Sequence, residues 1–273
     1  MSGQGGRGGP VLSVARMVER CTVLGPGVRA VVWVQGCPLR CRGCVAAETL
    51  PFDGGTPTDV DELAEHLASL TEAEGVTLSG GEPFAQAEAL SALLDAVRAR
   101  RPDFSAMAYS GFRHEALLRG TPAQRALLDR LDLLVDGPYV AARHAPLRWR
   151  GSANQRLLAL TDRYADVVAG LAAGGGDGSA GIELSMGADG SFSWAGVPPV
   201  PGFREAFEAH LAARGLVPRT EPTDRKERTD RRERTDRTEP TDRRERTDRT
   251  ERSDRTEPTD RTEHASERRR KNP

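Results

Sequence analysis

The stretch Cys37-Pro38-Leu39-Arg40-Cys41-Arg42-Gly43-Cys44 decides how the rest of the chain is read. It holds three of the four cysteines, spaced CxxxCxxC, directly after the apolar run Val31-Val32-Trp33-Val34. Such a run, ending at Gln35-Gly36, reads as a buried strand feeding a loop. Thiolates this close can converge on one ion or cluster, with Pro38 and Gly43 letting the backbone turn around it. Structural zinc sites close with four ligands, commonly in two pairs well apart in sequence, and no second pair follows here. Three thiols leave one coordination position open, as a reactive centre needs. A redox pair at Cys41 and Cys44, or zinc, stays open as an alternative. Cys21, outside the cluster, reads as a half-buried structural thiol.

Outward from this loop, composition limits where a core can form. From Arg219 onward a hexapeptide period runs RTEPTD, RKERTD, RRERTD and on to a degenerate RTEHAS. The stretch 219–273 carries 19 Arg and Lys against 16 Asp and Glu, and no aliphatic side chain beyond Ala265. With nothing to bury, it is expected to be a disordered tail. Its mixed signs leave no basic patch for phosphates apart from Arg268-Arg269-Arg270-Lys271, so nucleic acid is not expected as a partner. No apolar stretch reaches membrane-spanning length, and the opening MSGQGGRGGPVL lacks the apolar segment of a signal peptide. Clustered thiols without an export signal suit a reducing, cytoplasmic compartment.

Between these ends, strands alternate with helices. Residues 76–78, 104–109 and 131–135 read as strands. Val60, Leu63, Ala64, Leu67 and Leu70 mark an amphipathic helix capped by Thr58, and Leu90, Leu93, Leu94 and Val97 mark a second. Thr121-Pro122 opens another, with proline at the first helical position. This alternation argues βα units and a parallel sheet. Each glycine motif follows a strand, so the motifs converge on one sheet edge, where ligands sit in parallel α/β folds. Residues 157–160 and a helix around 164–171 precede a glycine linker. A hairpin turning at Asp189-Gly190 and a last helix, 203–213, read as packing. The expected organisation is a flexible N-terminus over 1–14, a core over 15–170, a C-terminal hairpin and helix over 171–218, and the tail.

Several motifs occur in fixed order around the cysteines: Gly25-Pro26-Gly27-Val28-Arg29, Leu78-Ser79-Gly80-Gly81-Glu82-Pro83, Tyr109-Ser110-Gly111-Phe112, Leu134-Val135-Asp136-Gly137-Pro138-Tyr139 and Trp149-Arg150-Gly151-Ser152-Ala153-Asn154-Gln155. Together they resemble the radical S-adenosylmethionine (SAM) enzymes, and among these the small activating enzymes of the anaerobic ribonucleotide reductase type. The resemblance implies a partial, open (β/α) barrel. It implies that Cys37, Cys41 and Cys44 hold three irons of a [4Fe–4S] cluster while SAM chelates the fourth. One electron from the reduced cluster would then cleave SAM to a 5′-deoxyadenosyl radical, which takes a hydrogen atom from a glycine of a partner glycyl-radical enzyme. Flavodoxin or ferredoxin would supply the electron.

The same resemblance places Gly43, Val45, Gly80, Gly81, Glu82, Ser110, Asp136, Arg150 and Asn154 around SAM. Val45 stands where these activators usually have an aromatic residue. Gly137-Pro138 stands where some have a lysine, which makes Arg150 the candidate for the SAM carboxylate. Each position also has a plain structural reading. GGEP is a common turn, Asp136 could cap a helix, and Arg150, Ser152 and Asn154 could make structural hydrogen bonds. His66, His114, His144 and His210 read as surface or cap residues. A peptide- or small-molecule-modifying radical enzyme and a non-catalytic iron–sulfur module remain the alternatives.

Overall fold

The computed structural model describes residues 9–186 and 190–218. The hexapeptide tail, residues 1–8 and the Asp189 turn lie outside the described residues. The chain opens with β1 (Val11–Cys21) and β2 (Arg29–Val34), followed after the cysteine loop by β3 (Thr56–Asp59) and α1 (Val60–Ser69). Then come β4 (Gly75–Gly80), α2 (Ala87–Arg100), β5 (Ser105–Ser110), α3 (His114–Leu118), α4 (Pro122–Leu128) and β6 (Leu133–Asp136). A small hairpin, β7 (His144–Leu147) and β8 (Arg150–Ser152), precedes β9 (Arg156–Ala159) and α5 (Ala165–Ala172).

Seven strands form one mixed sheet in the order β3-β1-β2-β4-β5-β6-β9. Its centre, β2-β4-β5-β6, is parallel, and antiparallel strands flank it on both sides. The α/β class and the parallel centre match the expectation from the sequence. The strand period of two sorts side chains onto two faces. Ala30, Val32, Val34, Val76, Leu78, Ala106, Ala108 and Leu134 pack with α1, α2 and α4 in the main core. Val31 and Trp33, together with Met107, Leu133 and Val135, point to the opposite face.

That opposite face also buries a charge. Arg29 is fully buried, and its guanidinium donates to Thr77 Oγ1 at 2.7 Å, Ser105 Oγ at 2.8 Å and the Val76 carbonyl at 2.6 Å. Burying a guanidinium is costly unless its donors are satisfied, and here two neighbouring strands supply acceptors. Arg29 thus cross-links β2, β4 and β5 from within.

Two boundaries differ from the sequence reading. The strand starts at Val11, so residues 11–14 are not loose; Leu12 enters the core, and Val11 and Val14 pair with Asp59 and Thr56. Thr58 sits within β3, and Asp59 caps α1 instead, its carboxylate accepting from the Asp61 and Glu62 N–H groups at 2.9 and 3.0 Å. Thr121 does cap α4, in a full capping box with Gln124.

Beyond α5, β10 (Ile182–Met186) and β11 (Ser191–Gly196) pair antiparallel. Then α6 (Phe203–Ala212) leads to a short β12 (Val217–Pro218) beside β11. This segment joins the core through Ala195, which packs with Cys21, Val23, Leu24, Val31 and Trp33. Cys21 is fully buried where the sequence suggested a half-buried thiol, and burial pushes it up to about 11.

Arg29→Ala is expected to lower the unfolding free energy by roughly 3 kcal/mol, since it strands buried acceptors and opens a void. Urea denaturation measures this. Arg29→Lys should recover only part, because an ammonium lacks the planar fork.

Candidate metal and cofactor site

The four parallel strands send their C-terminal ends toward one cavity of about 720 Å³, lined by residues of all four following loops. Cys37, Cys41 and Cys44 all line it and none is in a disulfide; Cys37 is buried and the other two are half-buried. The loop is wound by two left-handed residues, Arg40 at φ 47° and Gly43 at φ 75°. For a non-glycine residue such as Arg40 that conformation stores strain, which marks the loop as over-determined by its surroundings. The Cys44 N–H closes a turn onto the Cys41 carbonyl at 3.2 Å. Burial pushes the Cys41 and Cys44 thiols up, while backbone N–H groups of Tyr139 and Ala46 respectively hydrogen-bond the sulfurs and act the other way. Among the described residues no group of three or more His, Cys, Asp or Glu closes on a single ion. The thiols are instead spread along the lining of one cavity, and an all-thiolate donor set suits an iron–sulfur cluster.

The GGEP segment is fastened to the cysteine loop by its backbone. The Gly81 N–H donates to the Val34 carbonyl at 2.8 Å, and the Glu82 N–H to the Gly36 carbonyl at 2.9 Å. The two chains run so close that a Cβ on Gly81 would collide with the Gly36 backbone, so only glycine fits. Glu82 is buried and ties two loops together. Its Oε1 accepts from the Phe84 N–H at 3.0 Å and the Ser110 hydroxyl at 2.9 Å, and its Oε2 from the Gly111 N–H at 2.8 Å. Burial nonetheless pushes its carboxyl up to about 7.

A family model described as a 4Fe-4S single cluster domain matches residues 23–158. The anaerobic ribonucleoside-triphosphate reductase-activating protein of Enterobacteria phage T4 is 37% identical over 145 residues, covering 51% of this chain and 89% of that protein. The protein of the same name from Vibrio cholerae is 34% identical, covering 49% and 88%. The chain belongs to the anaerobic ribonucleoside-triphosphate reductase-activating protein family. It is accordingly a radical-generating oxidoreductase whose cofactors are a [4Fe–4S] cluster and SAM. A crystal structure of QueE from Escherichia coli overlaps 38% of this chain and 54% of its own, with a TM-score of 0.30 at 17% identity.

Of the site residues expected from this family's motifs, Gly43, Val45, Gly80, Gly81, Glu82 and Ser110 line the cavity beside the cysteines. Asp136, Arg150 and Asn154 do not, and each has a structural partner. Asp136 is buried, ion-paired with Arg156, and accepts from the His114 N–H at the start of α3 at 2.7 Å. Burial alone would raise its carboxyl, but Arg156, that N–H and Arg113 outweigh it and hold it below its ordinary value. Arg150 is ion-paired with Asp177, and Asn154 donates to the Pro138 carbonyl at 2.8 Å.

Other lining residues were not among those expected. Tyr139, which closes the motif begun at Leu134, and half-buried His144 both face the cavity, with Tyr139 Oη 3.1 Å from His144 Nδ1. Arg16 stacks over Trp33, 3.9 Å from the ring centroid, and both line the same space. The hairpin and helix read as mere packing contribute Phe192, Trp194, Phe203, Arg204 and Glu208.

Glu82→Gln isolates a pH effect. A carboxyl whose folded pKa lies near 7, above its unfolded value, adds stability that is full below the unfolded pKa and lost as pH rises through 7. The wild-type chain is therefore expected to lose about 3 kcal/mol relative to Glu82→Gln between pH 4.5 and 8, measured by denaturant unfolding across that range. Parallel pH profiles for the two proteins would contradict this.

Proposed function

We propose that this chain activates a partner enzyme by installing a glycyl radical on it, the partner being an anaerobic ribonucleotide reductase or a close analogue. Cys37, Cys41 and Cys44 hold the cluster, and SAM lies in the cavity against the Ser79-Gly80-Gly81 backbone and the Ser110-Gly111 turn. When bound, the reduced cluster and SAM together supply a 5′-deoxyadenosyl radical able to take a hydrogen atom from a glycine Cα. The chain's own residues position SAM, keep water from the reacting atoms and set the distance to the incoming glycine. A flavodoxin or ferredoxin delivers the electron.

The observation that carries this reading is the fastening of the GGEP backbone to a loop of three unpaired thiols at one wall of one cavity. The parallel block β2-β4-β5-β6, with its strand ends turned toward that cavity, supports the finer reading of the sheet as part of a (β/α) barrel. Arg16 lines the cavity and Arg150 does not, which makes Arg16 the better-placed candidate for the SAM carboxylate.

The test is anaerobic reconstitution with iron and sulfide, followed by reduction and addition of SAM. 5′-Deoxyadenosine and methionine should appear in equal amounts, and a partner reductase should acquire the paramagnetic signal of a glycyl radical. Cys41→Ala should lose the visible absorbance of the cluster and all SAM cleavage. A fully loaded wild-type protein that leaves SAM intact would sink the reading, and so would a Cys41→Ala variant that keeps a full cluster.

A further inference from the structure

The stretch matched by the family model ends at residue 158, yet one whole side of the cavity is built from later residues. That side is held together by its aromatic rings. Phe203 and Phe207 stack at 5.1 Å between centroids, and Trp194 meets them edge-on at 6.0 and 6.5 Å. Trp194 Nε1 also donates to Glu208 Oε1 at 3.2 Å, which fixes α6 against β11. Rings in edge-to-face and stacked contact with a satisfied indole make a stiff panel.

Beside the packing of Ala195 in the core, two hydrogen-bonded contacts tie the panel to the rest of the described residues. At one, Arg16 Nη1 donates to the Trp194 carbonyl at 3.0 Å. At the other, the Arg204 guanidinium reaches from α6 to the segment just after Cys44. Its Nη1 donates to the Val45 carbonyl at 2.6 Å and to the Glu48 carboxylate, while its Nε donates to Glu208 Oε1 at 3.0 Å. One planar fork thus bridges an acid on its own helix, an acid on the cysteine side and a main-chain carbonyl directly beside Cys44. A guanidinium suits this because its donors lie in a fixed plane and cannot be lost by deprotonation.

We propose that residues 192–208 form a latched wall of the reaction cavity, with Arg204 the positioning residue that holds the end of the cysteine loop against it. The wall gives this chain a cavity enclosed by residues beyond the stretch it shares with its family. It narrows the approach of the hydrogen donor to what can pass aromatic and proline side chains such as Trp194, Pro198 and Phe203. Its bearing on catalysis rests on the reading of Cys37, Cys41 and Cys44 as cluster ligands; the latch itself does not.

The experiment uses the full chain, metal-free, reduced and without oxygen. Each thiol is alkylated with iodoacetamide over a time course and followed by mass spectrometry. In Arg204→Ala the Cys44 rate should rise about tenfold, the factor that loss of one charge-assisted hydrogen bond corresponds to, while buried Cys21 stays protected. Arg204→Lys, which keeps one charged donor, should fall between the two. Glu48→Ala, which leaves α6 and Arg204 untouched, should also speed Cys44. An unchanged Cys44 rate in Arg204→Ala overturns the latch. If Arg204→Ala also exposes Cys21, that variant has lost its fold, and an unchanged rate in Glu48→Ala then overturns it. Because the readout is made without metal, a failed latch leaves the radical chemistry standing, and failed cluster loading leaves the latch standing.

Discussion

Two backbone hydrogen bonds, from Gly81 to the Val34 carbonyl and from Glu82 to the Gly36 carbonyl, hold the site in one piece. They join the end of β4 to the start of the cysteine loop, so the loop inherits the position of a strand buried on both faces. Such a junction needs glycine, because the chains approach too closely for a side chain at 81. Glu82 then carries the constraint one strand further, by accepting from the Ser110 hydroxyl and the Gly111 N–H. Three strand ends are thereby fixed relative to one another by groups that are mostly main chain. Main-chain positions are set by the sheet register, and the sheet is in turn cross-linked by the buried Arg29. Precision in such a site comes from the scaffold, as a reacting geometry sensitive to small displacements requires.

This arrangement divides the charged residues near the site into two groups. Asp136 and Arg150 lie outside the cavity lining and are engaged in ion pairs with Arg156 and Asp177 respectively. The cavity is lined instead by thiols, glycine backbone, aromatic rings and a few polar groups. That is the usual composition of a ligand pocket, in which a few polar groups orient a mostly apolar wall.

How much of this could be read from the chain depends on the range of each interaction. The cysteine loop, the glycine-bounded strand ends and the cap at Thr121 are local signals, and local chemistry made them legible. Thr58 was misleading because residues 56–59 pair with β1, and strand pairing with a distant segment outweighs a capping preference. Residues 11–14 look loose along the chain for the same reason: their order comes from pairing with β3, more than forty positions on. The role of the C-terminal segment was hidden more deeply. Trp194 and Phe203 form an ordinary amphipathic pattern, and no spacing rule places Arg204 beside Val45, 159 positions away.

The cysteine loop is shaped in advance for a charge it does not itself stabilise. Burial pushes the Cys41 and Cys44 thiols up, and each sulfur would also feel its neighbours' charge if all were thiolates. The polypeptide alone therefore favours neutral thiols, and the proposed ligation must displace their protons. Meanwhile Arg40 is held in a left-handed conformation that it would leave if free. Strain and desolvation of this kind persist only where the surroundings impose them. Here the Gly36 carbonyl, the Tyr139 N–H and the Arg204 contact at Val45 impose them from three different elements. On the proposed ligation, a loop held in this way spends less of the binding free energy on ordering the chain than a site that forms only on binding.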